Sequence, residues 1–235
     1  MVGGLRSVST GREDGTPILA HSTPVPKQPC PGRTLAWVQV LIALVAAYLI
    51  GSIDFGVIVP KLLGVDIYHT GSGNPGTSNV LRTMGKGPAA LVMIGDALKG
   101  VVAAAIGAYF GGSGGWSVDT LAVAASFAAV LGHILPVWHR FRGGRGVATA
   151  IGASVYLAPL FGIALAVLWL AMTLIGKVAS LASLVAMVLY VPGLAIAGYR
   201  GWSLVWAAGI VALVITRHQE NIARLVRGEE RGVAL

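Results

Sequence analysis

Residues 66–87, DIYHTGSGNPGTSNVLRTMGKG, crowd glycines, hydroxyls and amides against two cations, a mixture suited to holding an anion. Glycines such as Gly71 and Gly73 let backbone N–H groups turn toward a phosphate, and a following helix N-terminus adds positive potential. Ser72, Asn74, Thr77, Ser78 and Asn79 supply neutral donors. If the segment after Asn79 is helical, Arg82 and Lys86 stand four apart on one face and add charge. The run GSGNPG also satisfies G-x-G-x-x-G, but the dinucleotide reading fails. That fingerprint has meaning only between a strand and a helix of a soluble βαβ unit, and that context is not present.

A second cluster at 132–152, GHILPVWHRFRGGRGVATAIG, repeats the design. Gly143, Gly144 and Gly146, with Arg142 and Arg145 among them, directly precede an apolar helix, so backbone nest, guanidinium and helix N-terminus would converge on one anion. Two such sites suggest two phosphorylated substrates. The third cluster, RHQENIARLVRGEE at 217–230, reads as a helix leaving the apolar region. On it His218 and Asn221 share a face, and Glu220 can pair with Arg217 or Arg224. His218 could serve as a base or a phosphate donor; its weight comes from the two clusters beside it, because a lone histidine is more often structural.

Asp96 and Lys99, three apart in MIGDALKG, are costly within hydrocarbon and are expected to pair or to share a site. An ion pair that orients helices and a direct substrate role both fit. Ser180 and Ser183, near Lys177, either cap a helix or face the substrate pocket. The single cysteine, Cys30, can form no internal disulfide, and no Cys/His cluster offers a metal cage, so neither metal nor cofactor is expected.

The elements that must position these groups are membrane helices. Of 235 residues 55% are apolar and 11% charged, and the mean hydropathy is +0.78, values outside the soluble range. Residues 1–33 are polar and rich in Pro, Gly, Ser and Thr, and read as a disordered tail; 34–235 form one transmembrane domain. Apolar spans are expected at 35–59, 88–110, 120–138, 147–175, 178–198 and 202–216. The fourth overshoots a hydrocarbon core of roughly 30 Å and contains Pro159, so it is one tilted helix or two short ones.

Charge arbitrates. Lys61, Arg82 and Lys86 follow the first span, Arg140, Arg142 and Arg145 the third, and Arg217, Arg224, Arg227 and Arg231 the last, whereas 111–119 has no Lys or Arg. The positive-inside rule then places the N-terminus outside, the C-terminus in the cytoplasm and all three clusters inside. This favours an all-α protein of seven transmembrane helices, divided at Pro159, over one of six. The net charge of +8 follows from the same rule, and a basic inner face attracts anionic lipid heads and phosphorylated substrates rather than nucleic acid.

The ordered set YLIGSIDFG, GSGNPGTSNVLRTMGK, DALKG, GHILPVWHRFRGGRGVATA and HQENIARLVRGEE, over about 47–230, resembles the bacterial membrane acyl-phosphate:glycerol-3-phosphate acyltransferases. The resemblance implies seven spans in the bacterial inner membrane with the active site on the cytoplasmic side. It implies transfer of an acyl group from acyl phosphate to the 1-hydroxyl of sn-glycerol-3-phosphate, giving lysophosphatidic acid and inorganic phosphate. This is the first acylation of phospholipid synthesis, and it calls for a partner enzyme that forms the acyl phosphate. The family's first-motif Ser and Arg fall on Ser72 and Arg82, and its glycerol-3-phosphate motif on Gly143, Gly144, Arg145 and Gly146. Its third-motif His and Asn fall on His218 and Asn221, and its structural Glu on Glu220. Gly71, Gly73, Asn74, Asn79, Lys86, Lys99 and Ser180 complete the expected substrate contacts, with Asp96 structural.

Three positions depart from the family pattern: Asp54 where Pro is usual, Arg145 where Lys is usual, and Thr77-Ser78 where Ala-Thr is usual. A transporter of phosphorylated metabolites is the rival class, but it would show repeated halves and a site at the bilayer midplane, and no repeat is visible. A phosphatidyltransferase would need an Asp-rich metal cluster, which is missing.

Overall fold

The computed structural model describes residues 31–230 and 232. The expected tail to residue 30, with Cys30, lies outside them. Ten α-helices follow in order: α1 (Pro31–Gly51), α2 (Phe55–Leu62), α3 (Thr77–Met84), α4 (Lys86–Tyr109), α5 (Val118–Ile134), α6 (Val147–Leu157), α7 (Pro159–Gly176), α8 (Ala179–Ile196), α9 (Trp202–Thr216) and α10 (Gln219–Val226). Single-turn 3-10 helices occupy Ile67–His69, Ser113–Gly115 and Val137–His139.

The breaks between helices have local causes. Asp54 accepts a hydrogen bond from Gly56 N at 2.9 Å and starts α2 as its N-cap. The departure at this position is therefore a helix start placed after the first span. Gly85, at φ 86°, separates α3 from α4 in a conformation that side chains resist. Ala158 is driven out of the helical region by the proline that follows it, and Pro159 opens α7. The long apolar run at 147–175 is thus two helices.

Five helical stretches are long and apolar enough to cross a membrane; α6 and α9 are shorter apolar helices. Contacts mark two opposite ends of the bundle. At one end Ser113 donates to Gln39 and Tyr199 donates to Leu157 O, while Trp116 packs on Trp206 and Thr120 meets Ser203. At the other end lie the C-termini of α1, α5, α7 and α9, with α2, α3 and α10. Among the described loops and helix ends past α1, all the Lys and Arg except Arg200 lie at this second end.

The bundle is assembled through small residues. A Cβ on Gly152 would lie 2.0 Å from Ala97 O, one on Gly100 2.1 Å from Thr149 O, and one on Gly132 2.2 Å from Tyr48 O. These glycines let α6 lie directly on α4, and α5 on α1. In lipid, where apolar side chains gain little by leaving the solvent, close backbone approach is the main source of packing attraction. The outward faces carry Leu91, Leu98, Leu160, Ile163, Val188 and Val205, all exposed, as a surface facing acyl chains must be.

Candidate active site

The Gly-rich loop before α3 is tied by one buried amide. Asn79 Oδ1 accepts from Ser72 N at 2.9 Å and its Nδ2 donates to Thr70 O at 2.9 Å. Both ends of the side chain are engaged, so Asn79 holds the loop; it also lines the main cavity, and its second Nδ2 proton is left for a ligand there. Gly71 has φ 65° and a Cβ there would lie 2.4 Å from Asn79 Oδ1, so its role is to admit that amide. Gly73, at φ 71°, has Tyr68 O where a Cβ would go.

The second loop is built around His133, near the end of α5. Gly144 N donates to His133 O at 3.1 Å. A Cβ on Gly143 would lie 2.0 Å from the same carbonyl, and one on Gly144 2.3 Å from His133 Nε2. The glycine pair is therefore required by close packing on His133, and Gly144 N–H is not free to join an anion nest. Gly146, at φ 85°, turns the chain into α6, whose first backbone N–H groups face the site.

Two cavities meet here. One, of about 300 Å³, is lined by Ser72, Asn74, Arg82, Arg145, Ser180 and His218 at its polar end and continues along Met93, Ile94, Ile151, Ala166, Val167 and Leu170. Ile94, Val167 and Leu170 are also exposed on the outer flank of the bundle, so this cavity reaches the lipid side between α4 and α7. The other, of about 400 Å³, is lined by Tyr68, Gly73, Pro75, Arg142, Gly143, Arg217 and Gln219 at the basic end. Ser72, Asn74 and Arg145 line both. Arg145 is half-buried, and among the described residues no carboxylate lies within ion-pair distance of it. Burial, then the neighbouring Arg224, lower its pKa to about 10, so it stays charged at neutral pH and is a cation in want of an anion.

The third cluster closes the polar end. His218 is buried, with Nδ1 2.7 Å from Val214 O. The carbonyl can only accept, so Nδ1 carries the proton and Nε2 is left as an acceptor. Burial is the largest cause that brings the His218 pKa down to about 4. Asn221 Nδ2 donates to Glu230 at 2.7 Å, and Arg224 donates to the other oxygen of that carboxylate at 3.0 Å. Asn221 Oδ1 and Ser180 Oγ are buried without a hydrogen-bond partner, although both residues line the cavity. Arg82 lines it too, with Nε donating to Gly232 O at 3.2 Å.

Of the remaining expected residues, Lys86 and Lys99 line neither cavity, and Glu220 lines only the polar one. Lys86 is exposed and lines neither cavity, because the break at Gly85 takes it off the face of Arg82. Glu220, with a side chain 86% exposed and 3.8 Å from Arg224, is a weak pair; Glu230, distant in sequence, is the carboxylate that orders Asn221. Lys99 is buried in the bundle, where its Nζ meets Asp96 Oδ1 at 2.7 Å, Ile53 O at 2.7 Å and His133 Nδ1 at 2.8 Å. Asp54, Asp96 and His133 bring ligand atoms within 4.8 Å of one another, spacing that could hold a cation. The Lys99 ammonium lies in contact with two of them and supplies that positive charge. Sequence spacing gave no sign of this cluster, because its members come from the α1–α2 turn, α4 and α5.

A polar cavity at the basic end and an apolar one open to lipid, joined at an unpaired arginine, define a membrane enzyme that joins a water-borne anion to a hydrocarbon chain. Residues 41–228 match the glycerol-3-phosphate acyltransferase family, and the chain belongs to it. Similar proteins include the glycerol-3-phosphate acyltransferase of Cupriavidus necator, 44% identical over 193 residues covering 81% of this chain and 94% of that protein. That of Rubrobacter xylanophilus is 41% identical, covering 82% and 94%. The fold is similar to the crystal structure of the integral membrane glycerol 3-phosphate acyltransferase PlsY (YgiH) in its glycerol 3-phosphate form. The TM-score is 0.75, with 39% identity over 83% of this chain and 96% of that one. The lysophosphatidic acid form gives 0.73, 40%, 82% and 94%.

Proposed function

We propose that this membrane acyltransferase moves the acyl group of an acyl phosphate onto the 1-hydroxyl of sn-glycerol-3-phosphate, releasing lysophosphatidic acid and inorganic phosphate. The observation that carries the reading is Arg145, charged, unpaired and shared by a polar and an apolar cavity. Glycerol-3-phosphate enters through the polar cavity, and the acyl chain lies along Ile94, Val167 and Leu170 toward lipid. The phosphates meet Arg145, Arg82, Ser72 and the N-terminus of α6. The crystal structures of the relative PlsY in its glycerol 3-phosphate and lysophosphatidic acid forms support the acceptor and the product.

The acyl phosphate is already activated, so the protein's task is to align two anions and aim the hydroxyl. The hydroxyl oxygen forms the new ester bond to the carbonyl carbon, and the bond from that carbon to the phosphate oxygen breaks, its electron pair leaving with phosphate. The His218 Nε2 lone pair accepts from the hydroxyl and orients it. With a pKa of about 4 it is a weak base at neutral pH, whereas a phosphate monoester, with a second pKa near 6, is better matched. The proton therefore passes to a phosphate oxygen. Ser180 and Asn221 supply the remaining donors, and Gly143 and Gly146 shape the loop. The basic end, with the C-terminus, faces the cytoplasm of a bacterial inner membrane, N-terminus outside, after seven crossings; an acyl-phosphate-forming enzyme supplies the donor.

Purified protein given acyl phosphate and glycerol-3-phosphate, without ATP, should release lysophosphatidate and phosphate in equal amounts. Product formation only from acyl-CoA would sink the donor assignment.

A further inference from the structure

The two buried histidines of the cavity, His133 and His218, are set in opposite tautomers by what binds their Nδ1 atoms. At His218 a carbonyl accepts from Nδ1 and leaves Nε2 as an acceptor. At His133 the partner is an ammonium. Lys99 Nζ donates to Ile53 O at 2.7 Å, meets His133 Nδ1 at 2.8 Å, and forms an ion pair with Asp96 Oδ1 at 2.7 Å. An ammonium can only donate, so His133 Nδ1 is bare and Nε2 carries the proton. Asp96 Oδ1 is 3.5 Å from His133 Nδ1, too far to claim it as a donor. The buried carboxylate of Asp54 joins this group, within 4.8 Å of the other two ligand atoms. Asp96, 2.7 Å away, is the counter-charge of the Lys99 ammonium.

The free end of the ring faces the reaction space. His133 lines the main cavity with Asp96, Ser72, Asn74 and Arg145. Its Nε2 lies 2.3 Å from where a Gly144 Cβ would be, so the loop has been left without a side chain where the N–H emerges. Among the described residues Nε2 has no hydrogen-bond partner, although His133 is 3% exposed. A donor that opens into a cavity with no protein acceptor is left for what binds there.

We propose that His133 is a further catalytic residue of the reaction inferred above: its Nε2–H, fixed in that tautomer by Lys99, donates to an anionic oxygen of the bound reactants. Lys99 is then a positioning residue, acting through His133. The proposal rests on the acyl-transfer reading for its substrate, and it assigns the cavity one fixed donor and one fixed acceptor imidazole.

Two measurements test it. In protein labelled with 15N-histidine, the His133 resonances, assigned by their loss in His133→Gln, should show a protonated Nε2 and a bare Nδ1. His218 should show the reverse. Inorganic phosphate should move the His133 Nε2 signal, and Lys99→Met should shift His133 toward a tautomer mixture while sparing His218. In turnover, His133→Leu removes the donor and should cost on the order of 10²-fold, while His133→Gln, whose amide can donate from a similar position, should recover at least a tenth of the lost rate. Loss expressed in the KM for one substrate assigns the oxygen to that substrate's phosphate; loss in kcat alone assigns it to the carbonyl oxygen. A His133 protonated at Nδ1, or a Leu variant as active as the Gln variant, would overturn the proposal. The tautomer and phosphate readouts do not require turnover, so they judge His133 even if the wild-type protein made no lysophosphatidate, a result that would defeat the acyl-transfer reading instead.

Discussion

Arg145 concentrates the chemistry of the site at one residue. Arg145→Ala should lower kcat/KM by about 10²–10³-fold, as loss of a charge-assisted donor to phosphate in a dry site does. Arg145→Lys should retain part of the rate, because the charge persists but the two-pronged geometry does not; steady-state assays against both substrates measure this. The pH profile separates the candidate bases. His218 is held down to about 4, so it is neutral and unchanged between pH 7 and pH 5, and a rate that depended on it would fall only near pH 4. A phosphate monoester base instead gives an acid limb near pH 6. We expect the limb near 6, and we expect it to persist in His218→Gln at a lower plateau. A limb near 4 that vanished in that variant would return the base to His218. Ser72, Arg82, Arg145, His218 and Asn221 were legible in the sequence because glycine-rich and basic clusters announce anion chemistry. Glu230 was not, since its pairing with Asn221 and Arg224 depends on how the chain folds back after α10.

At the scale of the element, glycines decide how close the helices come. Gly152→Ala would press a methyl group into the carbonyl of Ala97, 2.0 Å from its ideal Cβ, so α6 must part from α4. The expected cost is about 1–3 kcal/mol, visible as a lower unfolding midpoint in detergent. Activity should fall with it, because the N-terminus of α6 is part of the site. Gly87→Ala is the matching control: nothing lies within 4 Å of its Cβ, and stability should hold or rise by a few tenths of a kcal/mol. The break at Pro159 could be read from the sequence, since proline rigidly alters its own residue and the one before. The break at Gly85 could not. A single glycine inside a helical pattern is usually tolerated, and here its φ of 86° ends α3 and separates Lys86 from Arg82.

At the scale of the whole molecule, the Lys and Arg of the described loops and helix ends past α1 gather, all but Arg200, at one end of the bundle. With Cys30 replaced by Ser, a cysteine at Ser113 should react with an impermeant thiol reagent added outside intact cells. One at Gln219 should react only after the membrane is opened. Reaction of both from the same side would overturn the topology. Composition by itself determined a membrane protein with several apolar spans, because hydrophobic length is a property of the chain read in order, and charge asymmetry predicted the parity of the spans and the side on which the clusters fall. The motifs likewise determined that phosphates are handled. Tertiary structure alone decided which of those residues meet. It brought Asp54, Asp96, Lys99 and His133 together from separate segments, tied the Gly-rich loop to Asn79, and joined two cavities at Arg145. Spacing along a helix orders neighbours within one turn, but contact between helices depends on crossing points that glycines and buried hydrogen bonds set in three dimensions.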